Sequence, residues 1–440
     1  MPARILIALA VFSVTLTAAD HASISGTVVD PAGKPVDHAT VLIYHAGVKQ
    51  GYSTFCPSCY ADCGKRATTD AAGAFHFEGL APDLWFELLV LRDGSVPTLV
   101  PKIDPAISAA TRVELPSRPD FTGLSVLRGH VVDVHGRSMR DVIIASQGIA
   151  TTRNGKPTSI YGTIKGLDPF AVTNAKGDFE LAAEADATRM VILVEPRGMA
   201  PKIFTNLKTG DQRHTLTVTD GALIRGRLVR DGKPVPAAEL GLIARERGWG
   251  PDLKLFGAPY NEIRIGTRDN GTFAITNVPP GVEWYLYGKM ESLAKLGATD
   301  ILNTVTKDDG QDIDLGDIPV HSAHSLRGKV VLTGGASIAP GTRVLLSSTH
   351  AWDSQTATLD SEGHFEFQGL ATGEYEISAA VRGYRLPPQP PVKPEDFPDS
   401  DKFAQAQNAQ YARARGVTIF AVDHNLADFT ITLERAPPRR

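Results

Sequence analysis

One pattern occurs four times in this chain, and no other feature limits the fold as tightly. An apolar residue, a spacer, a glycine, another spacer and an apolar pair recur. The copies are Ile24-Ser25-Gly26-Thr27-Val28-Val29, Leu127-Arg128-Gly129-His130-Val131-Val132, Ile224-Arg225-Gly226-Arg227-Leu228-Val229 and Leu326-Arg327-Gly328-Lys329-Val330-Val331. Their glycines stand 103, 97 and 102 residues apart. A second signature follows in each unit: Asp or Asn, one or two spacers, Gly, one residue, Phe. It reads Asp70 to Phe75, Asn174 to Phe179, Asp269 to Phe273 and Asp360 to Phe365. A period near 100 residues is the mark of a tandem array, each unit burying its own apolar face.

The residue types in these signatures have local reasons. Asp or Asn opening a turn bonds the backbone two residues on, and Gly takes positive φ without steric strain. Alternation after the turn, as in Phe365-Glu366-Phe367, sends every second side chain to one face of a strand. Gly33-Lys34-Pro35-Val36 and Gly232-Lys233-Pro234-Val235 make rigid turns between strands. Three units close on Gly79-Leu80, Asn277-Val278 and Gly369-Leu370, each followed by an aromatic-led strand, while the second reads Ala182-Ala183-Glu184. Short strands punctuated this way predict an all-β chain of four tandem antiparallel Greek-key β-sandwiches.

The expected boundaries are 1–19 for a signal peptide, then 20–117, 124–219, 220–320 and 325–435 for the sandwiches. Inserts are expected at 52–66, 246–262 and 386–416. The signal peptide rests on Arg4, the apolar run Ile5 to Leu16 and small residues ending at Ala18 and Ala19. The run is too short to span a bilayer as a helix. The mature chain is therefore expected outside the cytosol, periplasmic or extracellular, with no transmembrane helix. At 42% hydrophobic and 21% charged residues, composition is that of globular protein. A net charge of −4 with no basic stripe argues against nucleic-acid partners.

These units resemble carboxypeptidase regulatory-like domains, which are transthyretin- or prealbumin-like, Ig-like sandwiches; Cna B-type domains share the general pattern. The likeness runs from about Ser23 to Glu434. It is best over Ile24 to Val90 and Leu326 to Tyr384, and weakest in the second unit. The resemblance implies a sandwich fold and occurrence in bacterial surface and envelope proteins. Grouping with starch-binding-like sandwiches implies sugar binding as an alternative. The zinc domain that precedes such modules in peptidases has no counterpart, since neither His-x-x-Glu nor His-Glu-x-x-His occurs. No Lys–Asn isopeptide triad of the Cna type can be placed by motif. Fold is a poor guide to function on such scaffolds.

Three places carry candidate chemistry. Cys56, Cys59 and Cys63 are the chain's only cysteines and lie in the first insert. One disulfide with an odd thiol suits an exported protein. A metal site with His38, His45 or His76 as fourth ligand is a second reading, and redox exchange at Cys-x-x-Cys a third. Position 60 is Tyr, which argues against haem attachment. Trp249, Tyr260, Trp85 and Trp284 are candidates for stacking on sugar rings, against the alternative that they pack inside. Trp352 is expected in a core or at an edge. Residues Asp401 to Arg415 predict a short helix after a Pro-rich stretch. No nucleophile elbow or phosphate loop is present. The expected function is that of a non-enzymatic structural or interaction protein of the cell envelope with a protein or glycan partner. No cofactor is expected unless the cysteines hold a metal.

Overall fold

A computed structural model describes residues 21–107, 110–153, 156–161, 170–245 and 260–437. The expected signal peptide and Trp249 lie outside the described residues. The chain divides into two compact units. One holds Asp62–Ser117 with the described part of Met1–Ala46; the other holds Gly47–Ala61 and Arg118–Arg440. Among the described residues strands dominate, and they form eight sheets that pair into four sandwiches.

In the first unit, Ala22–Val29 lies between Ala74–Leu80 and Thr111–Glu114. The facing sheet orders Arg66–Thr68, Thr40–Val48, Leu84–Leu91 and Thr98–Ile103. Ile24, Val28, Phe75, Phe77, Phe86 and Leu88 fill the space between them. The first strand pairs antiparallel with the strand of the second signature but parallel with the last strand.

The second unit repeats this plan three times. Ser125–Val132, Ala222–Arg230 and His324–Leu332 each pair antiparallel with the Phe-bearing strand and parallel with a late one. Separate apolar clusters centre on Leu127 and Ile192, on Ile224 and Trp284, and on Leu326 and Phe367. In the third sandwich the parallel pair carries charge outside: Arg225 meets Asp312 at 2.8 Å and Asp314 at 2.6 Å, and Arg227 meets Asp317 at 2.7 Å.

The paired signatures turn out to be one contact. Gly26, Gly129, Gly226 and Gly328 stand directly opposite Phe75, Phe179, Phe273 and Phe365 on neighbouring strands. A Cβ added to any of these glycines would fall 3.0 Å or less from the phenylalanine ring. The glycine thus leaves room for an aromatic that lies across the ladder.

The turns before each Phe use a constant four-residue loop. Asp70 Oδ1 accepts from the amides of Ala72 and Ala74 at 2.9 and 2.8 Å, and Gly73 N–H donates to Asp70 O. Asn174 and Asp360 do the same. The third sandwich differs from the sequence reading, because its turn opens at Arg268, whose carbonyl accepts from Gly271, and not at Asp269. Asn270 supplies the side-chain acceptor there, bonding the amide of Thr272 at 3.1 Å.

Helices are few. Met290–Leu293 (α1) is one turn, with Leu293 in the third core and Met290 in the fourth. Ser400–Ala414 (α2) matches the expected helix, capped by Asp399 Oδ1 accepting from Lys402 N at 2.8 Å. It folds back on the Pro-rich stretch, with Arg413 Nε donating to Pro387 O at 3.0 Å and Gln410 Nε2 to Pro390 O at 2.6 Å. Among the described residues no helix is long and apolar enough to cross a membrane.

Candidate functional site

The cysteine segment resolves part of the ambiguity in the sequence. Cys56 and Cys59 are joined in a disulfide, and Cys63 stands outside it. Two of the three sulfurs therefore lack the thiolate that a metal requires. Among the described residues no three His, Cys, Asp or Glu side chains gather as a metal site. Two of the three histidines have other side-chain partners, and the third is placed by its backbone. His45 Nδ1 is 2.8 Å from Glu87 Oε2, and His76 Nδ1 is 2.8 Å from Ser25 Oγ. His38 adopts positive φ and donates its amide to Thr69 O at 3.1 Å.

Residues 47–61 fold with the second unit. Ser53 O accepts from Gly266 N at 2.6 Å, and Ser58 Oγ accepts from Gly198 N at 3.1 Å. Gly266 has its place because a Cβ there would meet Tyr52 at 2.7 Å. Asn277 organises this region. It takes positive φ where two other sandwiches use Gly79 and Gly369, a position Asn tolerates. Its Nδ2 donates to Gly198 O at 2.9 Å and Asp220 O at 3.0 Å. Cys59 Sγ lies 3.7 Å from Asn277 Oδ1. A disulfide sulfur has no proton to donate, so this is a packing contact.

A buried polar cluster joins the third and fourth sandwiches. Lys289 Nζ donates to Glu262 Oε1 at 2.9 Å and to Trp352 O at 2.7 Å, and lies 3.4 Å from Asp353 Oδ1. Asp353 Oδ2 accepts from Met290 N at 2.6 Å. Tyr287 OH donates to Glu262 and accepts from Trp352 N at 3.1 Å. Lys289 and Asp353 are 8% and 6% exposed. Burial raises the Asp353 carboxyl above the usual carboxylate range, against the pull of the Met290 amide and Lys289. Burial and the Glu262 carboxylate raise the Tyr287 phenol. Ile243, Tyr287 and Ala351 pack beside the cluster. Sequence reading missed it, because each member looks like an ordinary surface residue until the fold brings them together.

The stacking candidates mostly face inward. Trp284 is fully buried, and its Nε1 donates to Thr306 Oγ1 at 3.0 Å, which removes it as a sugar platform. Tyr260 packs on the same core with its ring 5.7 Å from Trp284, and burial raises its phenol pKa. Trp85 is half-buried on the face opposite Phe86. Trp352, expected in a core or at an edge, is 42% exposed. Nearby, Tyr285 and His350 meet edge to face, with planes at 89°.

A serine–histidine–aspartate chain lies on the second sandwich. Ser138 Oγ is 3.3 Å from His130 Nε2, and His130 Nδ1 is 2.8 Å from Asp178 Oδ1. Arg213 also pairs with Asp178, and Ser138 is exposed. The hydrogen bond from His130 and the charge of Arg213 hold the Asp178 pKa low.

Residues 23–116 match the carboxypeptidase regulatory-like domain family. No curated protein matches the chain. Among solved structures, the chain is similar to the Bacillus anthracis TIE protein at 9% identity, covering 95% of this chain and 75% of that one, with a TM-score of 0.18. It is similar to a Streptococcal ancillary pilin at 12% identity, 71% and 100% coverage and a TM-score of 0.23. GBS52, a minor pilin of Streptococcus agalactiae, gives 12% identity, 50% and 98% coverage and 0.23. At such TM-scores these likenesses carry no weight for fold or function.

Proposed function

We propose that this chain is an exported, non-enzymatic structural and interaction protein of the cell envelope, built to hold sandwiches in fixed order and present their loops. The observation that supports it is the Lys289–Glu262–Asp353 cluster between the third and fourth sandwiches. Burying charges there is costly unless every partner is in place, so the cluster favours one arrangement of the two sandwiches. Such rigidity serves a spacer or scaffold. The regulatory-like family match at residues 23–116 agrees with a role without chemistry of its own.

The test combines fractionation of the source cells with mass analysis of the recovered chain. The reading expects the chain in the envelope or medium, starting at Ala19 or Asp20. A chain that stays in the cytosol with Met1 intact would refute export. Calorimetry of the purified protein tests the scaffold: the third and fourth sandwiches are expected to unfold in one transition. Sugar binding is a weaker reading, since Trp284 and Tyr260 are interior and Tyr285 and His350 are perpendicular. A glycan array that lights up with the wild type and goes dark with Trp352→Ala would favour it.

A further inference from the structure

We propose that the crevice at the joint of the third and fourth sandwiches is a phosphate-binding site, taking a phosphate dianion either free or as the monoester of a small sugar. The crevice has a volume of about 400 Å³, within the range of small-molecule sites. Its lining holds Arg230, Lys295 and Arg327 against one carboxylate, Glu366. The surplus of two positive charges matches the charge of about −1.5 to −2 that a phosphate monoester carries at neutral pH. Glu366 is already engaged, accepting from Arg327 at 3.1 Å and from Gln368 Nε2 at 2.9 Å. The other two cations are not. Lys295 Nζ has no partner among the described residues, and Arg230 has only Asp231, at 3.9 Å. Two neutral donors share the crevice. Asn425 Oδ1 accepts from Ser325 N at 2.9 Å, which commits that oxygen and leaves Nδ2 a donor with no acceptor among the described residues. The Ser322 hydroxyl is likewise unpartnered among them. Guanidinium, ammonium, amide and hydroxyl donors are the set that the acceptor oxygens of a phosphate dianion satisfy.

The walls of the crevice are fixed. Gly369 has no side chain where a Cβ would stand 2.9 Å from Ala294 Cα, and Gly297, at a φ of +139°, has none where a Cβ would stand 1.9 Å from His321 O. Ala298 and His321 exchange both backbone hydrogen bonds, at 3.0 and 2.8 Å. Lys295 therefore sits on a segment pinned at both ends, and little ordering is left to lose on binding. Arg230 and Lys295 belong to the third sandwich, Arg327 and Asn425 to the fourth, so a bound phosphate ties the two together.

Isothermal titration of the full chain with inorganic phosphate, glucose 6-phosphate and glucose tests the proposal. Both phosphates are expected to bind, more weakly as salt rises, and glucose is not. Whichever phosphate binds more tightly identifies the source, the free ion or the monoester. Lys295→Ala and Arg230→Ala are each expected to weaken binding about fivefold to tenfold, since each removes a charge-assisted hydrogen bond. Lys176→Ala, which removes an exposed lysine of the second sandwich, is expected to leave the affinity unchanged. The melting temperature of the wild type is expected to rise with added phosphate, and that of Lys295→Glu to stay flat. Failure of both phosphates to bind would overturn the proposal. So would equal affinity for glucose and glucose 6-phosphate. An equal loss in Lys176→Ala and Lys295→Ala would overturn it too, marking a general attraction to surface charge.

Discussion

Gly328 and Phe365 explain why two signatures, far apart in sequence, recur together. The residue with no side chain and the large ring are halves of one contact. Gly328→Ala puts a methyl into the Phe365 ring and the Phe429 carbonyl, whereas at Gly226 the nearest atoms are 3.0 and 3.1 Å away. Gly328→Ala is therefore expected to destabilise its sandwich by about 1–3 kcal/mol, and Gly226→Ala by less. Denaturant melts of the two variants check the order, and equal losses would contradict the packing argument. The repeat was legible from sequence, but a second recurring residue was not. Thr69, Thr173 and Thr267 are buried, and each hydroxyl donates to a carbonyl (Val36, Met139, Val235) while accepting an amide (Ala39, Val142, Ala238). In the fourth sandwich Leu359 stands there, buried as well. The signal was a Thr just before the turn residue, too common a pairing to notice without the burial. Thr173→Val keeps the shape and orphans two backbone groups, for an expected loss of about 1–3 kcal/mol by the same melts. Ser138 is expected to resist a fluorophosphonate probe, because it is exposed and its aspartate is shared with Arg213. Labelling lost in His130→Ala would reverse that expectation.

At the scale of elements, helix α2 was readable and α1 was not. The first had length, an Asp at its start and arginines near its end. The second is a single turn whose sequence, Met290-Glu291-Ser292-Leu293, carries no periodicity. Its place is set by what surrounds it: Lys289 tied to Glu262 and Trp352 O, Met290 N–H tied to Asp353, and Ser292 Oγ accepting from Glu239 N at 3.0 Å. Lys289→Ala leaves the buried Asp353 carboxylate and the half-buried Glu262 without their shared cation and is expected to cost about 3–5 kcal/mol. The pH dependence follows from Asp353. Its folded-state pKa lies above its unfolded value, so the folded protein binds the proton more tightly. Its contribution to stability is fully present below the unfolded value and fades as pH rises through the folded one. Asp353→Asn does not titrate. The melting temperature of wild type minus that of Asp353→Asn is therefore expected to rise as pH falls from 7 toward the unfolded carboxylate value of about 3.9. Acid also protonates Asp178 and Asp317, whose partners His130 and Arg227 hold their pKa values low, but those losses are common to both proteins and cancel in the difference.

Across the whole chain, local periodicity tells where each core lies but not where one core borrows from the next. The four alternating patterns lead to four sandwiches, each with the strand plan its turns imply. Met290 departs from that independence: it belongs to a helix that follows the third sandwich's strand Val282–Gly288, yet its side chain packs with Leu326, Phe367 and Leu370 of the fourth. A pattern read within one period has no term for such a residue, because its burial depends on a neighbour about 40 to 80 residues on. The consequence is measurable. Met290→Ala removes a buried side chain from the fourth core, where large-to-small changes cost about 2–5 kcal/mol. Amide exchange is expected to quicken in His324–Leu332 and His364–Leu370, though neither strand is mutated. Ala222–Arg230, whose core holds Leu293 and not Met290, is expected to change less. If exchange instead quickened only around α1, the fourth core would stand without Met290, and the two sandwiches would be joined by the Lys289 cluster and the Ile243–Tyr287–Ala351 contact beside it.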